Sequence, residues 1–246
     1  MNTIENRILS PTAINTYLFC PQKFYFRYIQ KLKTKPSIHL VRGQIVHQTI
    51  YRFHRKPAAR GASIQAEKAK NDLLGIFDQE WEKATNTIES LPLTLPEIAF
   101  YHDESEHMLR NFAQWYSQNR MLPSSSETKM LSWNLRLMGI IDAVHHIGDR
   151  VVLVDYKTSK YPKITDDIRR QAALYALLCE DQHGITPSEV RIHFLVQAED
   201  PTSIRVDEDL LTYAKETLRL VAQKTSTTLQ QNYPCTCGGL CKKDFL

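Results

Sequence analysis

Residues 139–158 read GIIDAVHHIGDRVVLVDYKT, and this stretch decides the fold. Two apolar runs meet at the Gly-Asp pair 148–149, which predicts a β-hairpin. With that turn as the pivot, Asp142 in the first strand lies roughly opposite Asp155 in the second. Asp155 and Lys157 are two residues apart, so both side chains leave the same face of their strand. The hairpin therefore gathers two carboxylates and one amine.

Such a group needs a physical reason to exist within apolar strands. Two neighbouring carboxylates repel each other, and an unpaired charge at Asp142, within GIIDAV, would be costly to bury. A hard divalent cation with oxygen ligands, Mg²⁺ or Mn²⁺, removes both problems, and Lys157 beside it could orient a water molecule. The alternative is a solvated strand end at Asp155 and Lys157 with Asp142 as an acid near the turn. The spacing alone leaves both interpretations open.

The hydrophobic pattern changes from helical to strand-like spacing near residue 129. The predicted helices cover 11–30, 41–56, 64–87, 97–120, 165–182 and 207–231, and the predicted strands cover 129–138, 139–147, 150–156 and 190–197. We expect a single α/β domain with a central mixed sheet flanked by helices. Its parts are a mainly helical N-terminal part (1–125), a catalytic sheet core (126–206) and a C-terminal helix with a cysteine tail (207–246).

Glycine is scarce, with 8 residues among 246. The chain contains neither G-x-G-x-x-G nor G-x-x-x-x-G-K-[ST], which excludes the two glycine-rich phosphate loops. Any phosphate must then be bound through charges or metal ions. No apolar run approaches the ~18 residues that a membrane span requires, and no signal-peptide core is apparent. We expect a soluble, cytoplasmic protein without a membrane partner.

Positive charge is concentrated at the start of the chain. Residues 1–60 hold eleven Lys and Arg residues against one acid, a net charge of +10, although the whole chain carries only +4. This asymmetry predicts an anionic partner, most simply nucleic acid; an organelle transit peptide is the alternative. We expect Lys23, Arg27, Lys31 and Arg42 to contact DNA phosphates.

Further motifs accompany the hairpin, and each alone has an ordinary structural explanation. In chain order the set is LSPTAINTY (9–17) with Cys20-Pro21 and Phe24, Gly43-x-x-x-His47, Gly139-Ile-Ile-Asp142, Asp155-Tyr-Lys157-Thr158 and Gln171-x-x-x-Tyr175. Together they resemble the RecB-like branch of the PD-(D/E)XK nuclease superfamily, over residues 9–241. Similar chains include CRISPR-associated RecB-like exonucleases and the nuclease domain of AddB-type helicase–nucleases.

This resemblance implies a restriction-endonuclease-like core that hydrolyses phosphodiester bonds in DNA. The implied ligands of Mg²⁺ or Mn²⁺ are His47, Asp142, Asp155 and the backbone carbonyl of Tyr156. Lys157 would activate the attacking water. Gln171 and Tyr175 would line the site, and Glu127 is a further acid that matches a family position.

We therefore expect an exonuclease on single-stranded DNA ends, acting with CRISPR adaptation or recombination and repair proteins. A non-catalytic nucleic-acid-binding or assembly subunit with the same fold is the main alternative. A hydrolase of another class that uses the same acids is a weaker one.

The cysteines form the last prediction. Three of five lie near the C-terminus, at 235, 237 and 241. Many RecB-like nucleases hold a [4Fe–4S] cluster on one early and three late cysteines, so the resemblance implies a cluster on Cys20, Cys235, Cys237 and Cys241. The Cys-x-Cys-x₃-Cys spacing is tighter than in those relatives, and a zinc site or no metal are the alternatives. Cys179 is expected in the core.

Overall fold

The computed structural model describes residues 7–56, 66–119 and 122–245. A mixed five-stranded β-sheet lies between two layers of helices, as the sequence predicts. Residues 64, 65 and 120 of the predicted helices lie outside the described residues. The sequence therefore predicted the class of fold correctly.

The helices precede, interrupt and follow the sheet. The helices are α1 (Pro11–Phe19), α2 (Pro21–Phe24), a π-helical turn (Tyr25–Ile29), α3 (Ile38–His54), α4 (Ala66–Glu89), α5 (Leu95–Asn119), α6 (Asp166–His183), α7 (Glu208–Lys224), a 3₁₀ turn (Gln230–Asn232) and α8 (Leu240–Lys243). The strands are β1 (Ser125–Ser132), β2 (Leu137–Ile147), β3 (Arg150–Lys157), β4 (Glu189–Phe194) and β5 (Thr202–Arg205).

The strands lie side by side in the order β1-β2-β3-β4-β5. The first three form an antiparallel meander, whereas β4 is parallel to β3 because α6 carries the chain back along the sheet. The pairs from Ala143↔Val154 to Ile147↔Arg150 confirm the predicted pivot at 148–149. The hairpin register is therefore the one that its turn dictates.

A hydrophobic core covers each face of the sheet. Leu153 of β3 packs with α6 and α7, whereas its neighbours Val154 and Tyr156 pack with α3, α4 and α5. Strand alternation places Asp155 and Lys157 on the face of Leu153. The two polar side chains therefore face α6.

Helix α6 has strong local signals at both ends. The Thr165 hydroxyl accepts the backbone N–H of Ile168 at the start, and Gly184 ends the helix in a left-handed conformation with φ 66°. Its middle packs closely on β2, because a Cβ atom built at Gly139 would lie 2.8 Å from Tyr175 Cε1. Glycine at 139 thus sets the distance between α6 and the sheet.

Several predicted boundaries were wrong. The predicted helix over 11–30 breaks at Cys20, whose extended backbone (φ −159°) precedes Pro21. The predicted strand over 129–138 includes a turn that spans residues 133–136, so β1 begins and ends earlier. The last helix ends at Lys224 instead of 231, and the short edge strand β5 was not predicted.

Among the described residues, none of the helices is both long and apolar enough to cross a membrane.

Three histidines lie buried in or beside the sheet. Burial lowers the pKa of His54 to about 3 and the pKa values of His145 and His193 to about 4. Each of these rings is at most 5% exposed. The folded protein therefore holds all three rings neutral at pH values where the unfolded chain protonates them.

The His145→Gln variant should lose less stability than the wild type on acidification. An unfolded histidine gains its proton near pH 6.5, so between pH 7 and pH 5 a folded-state pKa of about 4 lowers the free energy of unfolding by about 2 kcal/mol. Urea unfolding at pH 7 and pH 5 should show that the free energy of unfolding falls by about 2 kcal/mol less in the variant than in the wild type. The exposed His107 provides the control, because His107→Gln should leave the drop unchanged.

The Gly139→Ala substitution should destabilise the protein by about 1–3 kcal/mol, because the buried Tyr175 ring must move to admit the methyl group. Gly75→Ala is the matched control. It lies in α4 with nothing within 4 Å of the added carbon, so it should stabilise the helix by about 0.5–1 kcal/mol. Equal unfolding free energies for the two variants would contradict the close packing at 139.

Candidate active site

Three acidic residues form one row across neighbouring strands. The pairs Ser126↔Ala143 and Thr128↔Ile141 flank the position at which Glu127 faces Asp142. Continuing the β2–β3 register by one residue sets Asp155 opposite Asp142 on the other side. The sheet thus presents a carboxylate row, Glu127–Asp142–Asp155.

The backbone departs from regular pairing along this row. Glu127 has φ 50°, a left-handed conformation that is uncommon for residues other than glycine. Asp142 Oδ2 accepts a hydrogen bond from the backbone N–H of Tyr156 at 2.7 Å. The Asp142 carboxylate thus accepts the hydrogen bond that a strand carbonyl would otherwise accept from the Tyr156 N–H. This bond fixes the direction of the carboxylate.

Helix α3 brings His47 to the row. His47 Nδ1 lies 3.1 Å from Asp142 Oδ1. Ligand atoms of His47, Glu127 and Asp142 lie within 4.8 Å of one another, a spacing suited to a shared metal ion. Glu127, which the sequence offered only as a further acid, belongs to this group, whereas the predicted ligand Asp155 lies outside it and pairs with Lys157.

Helix α6 supplies a chain of hydrogen bonds behind Asp155. Lys157 Nζ lies 2.6 Å from Asp155 Oδ2 and donates to Gln171 Oε1 at 2.7 Å. Gln171 Nε2 in turn donates to the Tyr175 hydroxyl at 3.0 Å. The predicted residues Asp155, Lys157, Gln171 and Tyr175 thus form one connected network.

Burial and the neighbouring charges shift the pKa values of Asp155, Asp142 and His47. Burial raises the pKa of Asp155 to about 6, which Lys157 opposes and Asp142 reinforces. Burial acts in the same direction on Asp142, but His47, the Tyr156 N–H and Lys157 together offset it and hold the pKa of Asp142 below its usual range. Burial lowers the pKa of His47, yet the charges of Asp142, Asp155 and Glu127 raise it to about 9. The three carboxylates therefore favour the protonated form of the His47 ring, whose charge opposes theirs.

Asp142 and Asp155 of the row line a cleft of about 700 Å³, and Glu127 lines a neighbouring cavity that shares Asp142 and His47. The other walls of the cleft come from α3, α5 and the segment after β3, and include His39, Phe100, Tyr101, Glu104 and Lys160. These wall residues carry no spacing signal in the sequence, because helix packing alone brings α5 to the cleft. Phe100 is 54% exposed and presents an aromatic ring at the cleft wall.

The four predicted DNA contacts have different surroundings. Lys31 is exposed, Lys23 pairs with Asp244 at 2.6 Å, and Arg27 lies over the Tyr28 ring. Arg42 differs from these because its side chain is only 4% exposed.

Arg42 contacts two other elements of the cleft. It pairs with Glu104 at 3.0 Å and donates to the Thr158 carbonyl at 3.1 Å. In this arrangement Arg42 joins α3, α5 and the end of β3, and it also lines the cleft. All four predicted DNA contacts stay predictions.

The four predicted cysteine ligands also meet. Sulfur atoms of Cys20, Cys235, Cys237 and Cys241 lie within 4.8 Å of one another. None of the four is part of a disulfide. Cys179 is buried in α6, in the core as expected.

The structure brings seven of the predicted site residues to one cleft: His47, Asp142, Asp155, Tyr156, Lys157, Gln171 and Tyr175. Their catalytic and metal-binding roles all stay predictions.

Comparison with known proteins gives matches among solved structures and to one family model. The crystal structure of a protein from Eubacterium rectale, named "Putative exonuclease", superposes with a TM-score of 0.57 at 13% identity and covers 98% of this chain and 89% of that chain. No curated protein gives a match. The family model of the PD-(D/E)XK nuclease superfamily matches residues 8–243, which is nearly the whole chain. The chain belongs to the PD-(D/E)XK nuclease superfamily.

Proposed function

We propose that this nuclease is a divalent-metal-dependent deoxyribonuclease that removes nucleotides from single-stranded DNA ends. The observation that carries the proposal is the carboxylate row Glu127–Asp142–Asp155, flanked by His47 and Lys157 at an open cleft. Hydrolysis of a phosphodiester needs positive charge near the phosphate and a positioned water molecule. These side chains can provide both.

The donor atoms fit Mg²⁺ or Mn²⁺. Carboxylate oxygens are the preferred ligands of these hard cations, and a neutral imidazole is a common further ligand. Asp142, Asp155 and His47 would hold the ion, with Glu127 and the Tyr156 carbonyl as further candidates. When bound, the ion supplies Lewis acidity and lowers the pKa of a coordinated water.

Lys157 is the residue best arranged to act on the nucleophile. Its ammonium contacts Asp155 and Gln171, and these two contacts fix its position at the end of β3. A fixed ammonium can orient the attacking water and stabilise negative charge that develops on the phosphate. His47 would give up its proton when the metal replaces it as the counter-charge of Asp142.

The preference for a single strand rests on the walls of the cleft. The ring of Phe100 is exposed where an unpaired base could stack, and such stacking tolerates any base. Lys160 adds positive charge for the backbone. The name of the Eubacterium rectale relative and the resemblance to RecB-like exonucleases support action at an end.

The cellular setting is proposed from the same resemblance. CRISPR adaptation and recombination or repair are the two processes it suggests, both in the cytoplasm. The [4Fe–4S] cluster that it implies stays a prediction. A non-catalytic subunit is the alternative function, and the intact row with its lysine argues against it.

The Asp142→Asn and Lys157→Ala variants should each lower the rate of single-stranded DNA degradation by about 10²-fold or more, because each removes a fixed charge that acts on the reacting phosphate or its metal. The measurement uses 5′- and 3′-labelled oligonucleotides with Mg²⁺ or Mn²⁺. Wild-type cleavage should stop when EDTA removes the metal.

Matched controls separate chemistry from folding. Asp149 lies in the turn of the same hairpin, and Lys215 is an exposed residue of α7. The Asp149→Asn and Lys215→Ala variants should therefore keep wild-type rates. An inactive wild-type protein, or equal rates in wild type and both site variants, would refute the proposed nuclease.

Gln171→Leu should lower kcat by roughly 10-fold, the effect of losing an outer residue that orients a reactive group. Tyr175→Phe should have a smaller effect, because it removes only the acceptor for Gln171 and leaves the Gln171–Lys157 bond in place. Steady-state rates on an oligonucleotide would rank the two. A larger loss for Tyr175→Phe would contradict the proposed order of the network.

A further inference from the structure

The cysteine cluster joins the two ends of the described chain. Cys20 lies between α1 and α2, and the other three ligands follow the last long helix, more than 200 residues later. Hydrogen bonds beside the thiols also connect the α1–α2 region with the C-terminal tail. The Gln22 backbone N–H donates to the Pro234 carbonyl at 3.2 Å, and the Thr236 hydroxyl donates to the Phe19 carbonyl at 2.9 Å.

The spacing of the sulfur atoms discriminates between possible centres. Cys235 Sγ lies 3.7 Å from both Cys237 Sγ and Cys241 Sγ. Four thiolates around one tetrahedral zinc, with Zn–S bonds of about 2.3 Å, are about 3.8 Å apart. In a [4Fe–4S] cluster each thiolate binds a separate iron at a different corner, so the thiolates are spread more widely. A group within 4.8 Å suits one ion and is too compact for the cubane.

The backbone conformation of residues 235–241 explains how three cysteines so close in sequence can direct their sulfur atoms to one point. Gly238 and Gly239 both have positive φ (62° and 88°), a conformation that turns the chain back on itself. As a result the Cys241 N–H donates to Cys237 Sγ at 3.1 Å and the Gly239 N–H donates to Cys235 Sγ at 3.3 Å. Such donors stabilise thiolates, which are the metal-binding form of cysteine.

We propose that Cys20, Cys235, Cys237 and Cys241 bind a single structural zinc ion that fastens the C-terminal tail to the N-terminal helices. With four cysteine ligands the ion has no open position, so it does not act on substrate. The soft thiolates select zinc, whereas the oxygen ligands of the carboxylate row select Mg²⁺ or Mn²⁺. The two sites therefore differ in metal, and the zinc site is independent of the proposed nuclease activity.

The test begins with the full chain, purified without oxygen from cells supplied with both iron and zinc. Elemental analysis should give one zinc per chain, and the protein should be colourless and free of acid-labile sulfide. A brown protein with about four irons and acid-labile sulfide would overturn the proposal, as would a protein without metal. A second arm replaces zinc by Co²⁺, which should produce the visible spectrum of a tetrahedral tetrathiolate site.

Variants assign the metal to these residues. Cys237→Ser should lower bound zinc at least 10-fold and lower the Tm, whereas Cys179→Ala, at the fifth cysteine, should keep one zinc per chain. If Cys237→Ser does not fold, the Co²⁺ spectrum of the wild type still decides the case. Asp142→Asn should retain its zinc, so failure of the nuclease proposal would leave this result unchanged. Full zinc content in a folded Cys237→Ser variant would refute the assignment.

Discussion

Repulsion among three carboxylates is the constraint on which the rest of the structure depends. Glu127, Asp142 and Asp155 share one row across β1, β2 and β3, and their charges cannot lie so close without a counter-charge. His47 provides one from α3, and Lys157 provides another from the end of β3. The pKa of His47, raised to about 9, reflects how strongly the row attracts positive charge.

The surrounding fold holds these counter-charges in place. Helix α6 packs closely on the sheet because Gly139 of β2 has no side chain between its backbone and the Tyr175 ring of α6. Gln171 of the same helix accepts a hydrogen bond from the Lys157 ammonium and so fixes its position. On the other face of the sheet Arg42 ties α3 to α5 and to the carbonyl that follows Lys157. Both helical layers thus contact the sheet beside the row, where the cleft lies.

The sequence predicted those features that depend on local geometry. The register of Asp142 with Asp155 followed from the turn at 148–149, because a tight turn fixes the pairing of both strands. The third acid, Glu127, fell before the predicted start of its strand, and its left-handed backbone cannot be inferred from hydrophobic spacing. The aromatic wall at Phe100 arises from tertiary packing of α5, which leaves no motif. The break at Cys20 was missed although Pro21 follows it, because aromatic residues continue the helical pattern on both sides.

The most direct test of the central claim is an anomalous diffraction measurement on crystals soaked in Mn²⁺. We predict a strong anomalous peak among Asp142, Asp155 and His47, and its loss in crystals of the Asp142→Asn variant. A well-ordered carboxylate row without such a peak at saturating Mn²⁺ would contradict the account, because the row would then be neutralised by His47 and Lys157 alone.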